Sequence, residues 1–200
     1  HKWHDRLGKL WMMTYMFDGA KVFTGNVNRW QLPRVEYMLG AFARTEHFDS
    51  NLVKWDVSKV RDMDKMFAEA TAFTGKGLER WNVSSAESMT YMFRSATKFN
   101  PSSLPLWNVS KVKSMLGMFA NASKFQGRGL EDWNVSSVQT MAAMFKNAVA
   151  FDVDLSKWNV SADTGTDNMF EGAVSYDPPF PLGSRYVAPP PAEAEAMGVQ

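Results

Sequence analysis

The chain has 200 residues, no cysteine and a formal net charge of +1, with 22 Lys and Arg against 21 Asp and Glu. The lack of cysteine excludes disulfides and thiolate metal sites, and the balanced charge argues against a nucleic-acid-binding domain, which normally carries a basic excess. No apolar run approaches the length of a membrane span, so we predict no transmembrane segment.

A Met-Phe pair recurs along the chain and marks an internal repeat. Successive copies of its Phe stand 25 or 26 residues apart, a Trp usually precedes that Phe by 12 residues, and a second aromatic follows it by six. Seven aligned units at a nearly constant period indicate a stacked-repeat architecture. The units end near Phe23, Phe48, Phe73, Phe99, Phe125, Phe151 and Tyr176.

Within each unit the apolar residues follow a helical spacing. In the third unit they are Val60, Met63, Met66, Phe67 and Ala70. This stripe predicts a helix of about three turns, and Ser58 stands just before it, where an N-cap belongs. In the next unit Trp81 and Val83 alternate with Asn82, as in a short strand.

The predicted fold is therefore an α/β repeat solenoid similar to leucine-rich-repeat proteins. It has about seven strand-turn-helix units of 25–26 residues and a parallel strand ladder. Amide side chains that follow each Trp are expected to pair with backbone between units. The predicted core is formed by Trp55, Met66, Phe67, Trp81, Met92, Phe93, Trp107, Met118, Phe119, Trp133, Met144 and Phe145.

The repeat W-[ND]-V-S-x-V-x-x-M-x-x-M-F-x-x-A-x-x-F resembles the Met-rich branch of the BspA-like leucine-rich-repeat proteins. The resemblance covers about residues 11–176 and is strongest in Trp55–Phe151. It implies a surface-exposed or secreted protein that works in adhesion and protein contact. It carries over no catalytic residues and no cofactor.

After Tyr176 the composition changes, which predicts two parts: a repeat domain at 1–176 and a Pro-rich, extended tail at 177–200. The tail favours contact with a partner over a free terminus. Its candidate contact residues are Pro178, Pro179, Phe180, Pro189 and Pro190.

Basic residues at variable positions of the predicted helices form a candidate docking patch for an acidic partner. They are Lys59, Arg61, Lys65, Lys111 and Lys113. An ordinary solvated surface is the simpler interpretation. The pairs Gly75/Gly77 and Gly127/Gly129 predict tight turns.

No catalytic motif and no metal or cofactor site is evident, so we predict that the chain is not an enzyme. His1 and His4 offer only a weak copper-binding alternative. Five N-x-[ST] sequons occur, of which only Asn121 lies outside the N-V-S repeat motif.

The favoured function is a non-catalytic module that binds other proteins within a larger assembly. One alternative is an accessory structural subunit of a large, membrane-bound complex in an algal organelle, held by the C-terminal tail. Another is an adhesin or carbohydrate binder that uses Trp3 and Trp11.

Overall fold

The computed structural model describes residues 8–102 and 104–177, and within them the repeats contain almost no regular secondary structure. One 3-10 helix covers Leu78–Arg80. Consecutive repeats touch in a parallel β pattern at single residues, from Met12 with Tyr37 through to Thr140 with Gly165. The predicted α/β solenoid of strand-turn-helix units with a parallel strand ladder is therefore wrong.

The segment predicted as a helix is a chain of overlapping β-turns. The Met66 N–H donates to the Met63 carbonyl at 3.2 Å, and the Ala70 N–H donates to the Phe67 carbonyl at 3.1 Å. These bonds join residues three apart, as in β-turns, whereas an α-helix joins residues four apart. The apolar residues keep their spacing, but they project from turns.

Left-handed residues recur every fourth position in these turns and prevent a helix. Lys65 has φ 54° and Glu69 has φ 60°. This conformation turns their amides towards the next repeat, where they donate to the Thr90 carbonyl at 2.8 Å and the Arg94 carbonyl at 2.7 Å. A left-handed residue costs about 1–2 kcal/mol of conformational free energy. The hydrogen bonds that its amide makes to the next repeat offset this cost. Equivalent pairs are Tyr15/Gly19, Gly40/Arg44, Tyr91/Ser95, Gly117/Asn121, Ala143/Asn147 and Asn168/Gly172.

Aromatic rings stack from repeat to repeat and fill the interior. The Phe93 ring lies 5.7 Å from that of Phe67 and 5.6 Å from that of Phe119, centroid to centroid and nearly parallel. The Trp81 and Trp107 rings stack in a second column at 6.4 Å. Each repeat therefore completes the core of its neighbours.

Indole N–H groups tie the tryptophans to the repeat before them. The Trp107 Nε1–H donates to the Leu78 carbonyl at 2.8 Å, and Trp81 bonds to Leu52 in the same way at 3.1 Å. A buried Trp needs such an acceptor, because an unpaired buried donor is costly. The indole N–H, a polar group that recurs in the core, is thus bonded at both positions.

The segment predicted as a strand around Trp81 contains a local turn. The Asn82 Oδ1 accepts the Ser84 N–H at 3.1 Å. Asp56 accepts the Ser58 N–H at 3.0 Å in the same manner, and bonds with Ser58 lower the pKa of Asp56. The expected amide ladder between units is wrong at these two positions, and so is the N-cap role of Ser58, because the side chains close turns within their own repeat.

The paired glycines confirm the predicted tight turns. Gly75 has φ 88° and Gly77 has φ 90°. At Gly77 a Cβ atom would lie 2.3 Å from the Val53 backbone nitrogen, so the neighbouring repeat also leaves no room for a side chain.

One continuous core cluster runs from Met13 to Ala173. The Met and Phe members of the predicted core are fully enclosed, and the four tryptophans are buried to within a few per cent. Those buried residues are Trp55, Met66, Phe67, Trp81, Met92, Phe93, Trp107, Met118, Phe119, Trp133, Met144 and Phe145.

Candidate interaction surface

Two columns of exposed side chains flank a buried apolar column along the stack. In the third repeat Lys59 and Arg61 are exposed while Val60 between them is fully buried. The backbone holds the second column in register, because the Arg61 N–H bonds to the Glu36 carbonyl and the Glu87 N–H bonds to the Arg61 carbonyl, both at 2.8 Å. The fold therefore fixes the spacing of these side chains while the sequence varies their charge.

Side chains of both columns line a shallow depression, which we call the Lys59 depression. Its lining residues are Glu36, Lys59, Arg61, Ser85, Glu87 and Lys111. Inside it the Arg61 guanidinium donates to Glu87 Oε1 at 2.7 and 3.0 Å. Because both side chains are about half exposed, this ion pair contributes little to stability. The pairing neutralises Arg61, whereas Lys59 and Lys111 form no salt bridge within residues 8–102 and 104–177.

The five predicted basic contact residues do not form one patch. Lys59, Arg61 and Lys111 line the Lys59 depression, and Lys113 is exposed in the second column beside it. Lys65 instead lines a different depression. The helical spacing placed Lys65 on the same surface as Lys59. This is wrong because Lys65 has a left-handed backbone, which directs its side chain to another surface.

Lys65 belongs to a second depression that sequence reasoning missed. Its lining residues are Tyr15, Asp18, Ala43, Arg44, Lys65, Ala68, Glu69, Tyr91 and Arg94. A signal for it existed in the aligned repeats, because small residues occupy one outward position in two successive units, at Ala43 and Ala68, where neighbouring units carry Asp18 and Arg94. Small side chains between larger ones leave a trough.

A half-buried carboxylate lies at one end of a chain of hydroxyl groups that runs from the third repeat to the fifth. Asp64 Oδ1 accepts the Ser88 hydroxyl at 2.5 Å and the Thr90 N–H at 2.7 Å. Burial raises the pKa of Asp64, the nearby Asp62 carboxylate adds to this rise, and the bond from Ser88 opposes it. The Thr90 hydroxyl continues the chain to Ser114 at 2.7 Å. These bonds join adjacent repeats, which is a structural role.

Asn121, the sequon outside the N-V-S motif, takes part in a ladder of side chains at left-handed positions. Its Nδ2 donates to the Ser95 hydroxyl at 3.4 Å, and its Oδ1 accepts from Asn147 Nδ2 at 3.0 Å. Asparagine tolerates this conformation better than most residues, so the ladder accounts for the amide without a glycan.

Several predicted residues lie outside the described part of the chain: Trp3, His1, His4, Pro178, Pro179, Phe180, Pro189 and Pro190. Trp11 is described and is 57% exposed. Among the described residues we find no group of three or more His, Asp or Glu side chains placed to hold a metal ion. The same residues contain no helix with the length and apolar character needed to cross a bilayer.

The chain matches the model of a family described as "Mycoplasma protein of unknown function, DUF285", over residues 2–105 and again over 99–182. The chain belongs to this family. The two overlapping matches agree with its repeat character. No curated protein and no solved structure is significantly similar to the chain.

Proposed function

We propose that this DUF285 protein is a non-catalytic module that binds other proteins through the exposed columns of its stacked repeats. The observation that carries the proposal is the contrast between a constant interior and a variable exterior. Every central repeat buries the same Trp, Met and Phe residues, whereas the columns beside them change charge from one repeat to the next. A fixed scaffold with variable outward residues is how repeat proteins present broad binding surfaces.

The partner surface is expected to be acidic. The column that contains Lys59 holds basic or hydroxyl residues in successive repeats, namely Arg34, Lys59, Ser85, Lys111 and Ser137. Complementary charge favours encounter and selects among partners more than it adds affinity. We also propose that the protein is related to the BspA-like surface proteins and, like them, is exposed at a cell surface. The support for this part of the proposal is the W-[ND]-V-S repeat motif.

The test compares two double variants that carry the same change of charge. Lys59→Glu with Lys111→Glu reverses two cations of the Lys59 depression. Lys98→Glu with Lys124→Glu reverses two exposed lysines that lie one repeat apart and outside it. Each double variant is produced in the native source and isolated under mild conditions. Cross-linking and mass spectrometry then identify the proteins that co-purify with it.

We expect the first variant to lose its cross-linked protein partners while the second keeps them, at equal melting temperatures. Partners that persist with both variants, or that disappear equally with both, would contradict the assignment of this surface. Failure of the unaltered protein to recover any stoichiometric partner would contradict the proposed function itself.

A further inference from the structure

The second depression is a trough with two aromatic ends. Tyr15 is 47% exposed, and its ring covers Gly40 of the next repeat so closely that a Cβ there would lie 2.4 Å from it. Tyr91 covers Gly117 in the same way, also at 2.4 Å. Three repeat steps separate the two rings, which corresponds to about 15 Å at the spacing of parallel β contacts. The glycines thus leave room for each ring to lie against the next repeat.

The floor of the trough is apolar and its backbone is already bonded. Ala43 and Ala68 form this floor. The Ala43 carbonyl accepts from the Gly19 N–H at 2.9 Å, and the Ala68 carbonyl accepts from the Arg44 N–H at 2.8 Å. An extended peptide would therefore find no free backbone edge to pair with, and β-strand addition is not available here.

The rim of the trough carries an excess of positive charge. Arg44 is neutralised by Asp18, with 2.5 Å between the guanidinium and the carboxylate. Lys65, Arg94 and Glu69 are exposed and make no salt bridge in the described part of the chain. Two cations against one anion favour an anionic ligand.

Arg94 connects this charge to an aromatic wall. Its guanidinium carbon lies 5.5 Å from the centroid of the Tyr91 ring. This cation–π contact restrains the orientation of the planar Arg94 guanidinium and of its N–H groups. Such groups bind carboxylates with two parallel bonds.

We propose that the trough binds a polysaccharide chain that carries carboxylates, a polyuronate in chemical class. The flat C–H face of a sugar ring stacks on the exposed Tyr15 ring, Tyr91 holds the Arg94 guanidinium, and the sugar carboxylates pair with Lys65 and Arg94. The shallow apolar floor suits a flat ring, and it offers no deep pocket of the kind that an apolar anchor residue of a protein partner fills. This site is separate from the Lys59 depression, so the inference does not depend on the proposed protein-binding role.

The test measures binding of a short oligogalacturonate to the full chain by isothermal titration calorimetry. A galactan oligomer of equal length is the uncharged control, and a short polyglutamate is the control for an acidic peptide. We expect binding of the oligogalacturonate only. Equal binding of the neutral sugar or of polyglutamate, or no binding of the oligogalacturonate, would overturn the proposal.

Variants then locate the site. Lys65→Ala and Arg94→Ala should each weaken binding about tenfold, in line with the loss of one hydrogen bond to a charged group. Tyr15→Phe should retain binding, because the ring face is kept, whereas Tyr15→Ala should lose it at an unchanged melting temperature. Lys98→Ala, an exposed lysine outside both depressions, is the matched control and should bind as the unaltered protein does. An equal loss with Lys98→Ala would mean general charge attraction and would refute the trough as the site.

Discussion

Substitution of two neighbouring alanines by glycine distinguishes the turn chain from a helix. Ala142 and Ala143 both lie in the segment that the spacing predicts as helical, and both are partly buried. Ala143 has φ 54°, whereas Ala142 is not among the residues of positive φ. A helix would make both substitutions unfavourable by about 1 kcal/mol each.

The turn chain predicts opposite signs. Ala143→Gly removes the cost of a left-handed L-residue, about 1–2 kcal/mol, against an entropic cost of glycine of about 0.5–1 kcal/mol. We therefore expect Ala143→Gly to stabilise the protein by about 0.5–1 kcal/mol, as the difference of these two effects. Ala142→Gly has only the entropic cost and should destabilise it by about 0.5–1 kcal/mol.

Urea unfolding followed by tryptophan fluorescence measures both variants, because the tryptophans lie in the stacked core. The transition midpoints are compared at constant slope, which reports stability directly. If Ala143→Gly proves as destabilising as Ala142→Gly, the left-handed assignment and the turn chain built on it are refuted.

Two further predictions concern the interior and its half-buried carboxylate. Phe93→Ala should cost about 3–5 kcal/mol in the same urea assay, since Phe93 is fully buried between two stacked rings; a loss below about 0.5 kcal/mol, as at a surface site, would contradict the stack. Asp64→Asn should stabilise the protein at neutral pH, because the folded-state pKa of Asp64 is raised above 3.8 and its ionised form therefore disfavours folding. This destabilisation fades as pH falls through the raised pKa, because the carboxylate becomes protonated. The difference in free energy of unfolding between the variant and the unaltered protein should therefore shrink from pH 7 towards acid. A difference that does not change with pH would show that ionisation of Asp64 is not its cause.

The sequence predicts which residues are buried but not the backbone that buries them. Periodic Trp, Met and Phe residues identify the interior, because any stacked fold must cover them. The spacing of Met63, Met66, Phe67 and Ala70 is shared by a helix and by successive four-residue turns, so apolar periodicity could not separate the two.

A signal against a helix was nevertheless present in the aligned repeats. Glycine or asparagine recurs at two positions four residues apart inside the predicted helices, as at Gly117 with Asn121 and at Asn168 with Gly172. Both residue types enter the left-handed region at low cost. The positions with Lys65 or Tyr91 conceal this signal, because tertiary bonding there overrides the local preference.

The candidate surfaces were predicted only in part. Lys59, Arg61 and Lys111 lie together because they share repeat positions, which the sequence alignment contains. The trough between Tyr15 and Tyr91 depends on how each ring folds over the glycine of the next repeat, and this follows only from the left-handed backbone.

The indole bonds connect each repeat to the one before it, so the stack behaves energetically as a one-dimensional lattice of repeats. Each Trp from Trp55 to Trp158 bonds to a carbonyl of the preceding repeat, so each repeat between them is coupled to both of its neighbours. In such a lattice stability is approximately the sum of the stabilities of the repeats and of the junctions between neighbours. Loss of one indole bond therefore weakens one junction, while the junctions elsewhere in the stack keep their coupling.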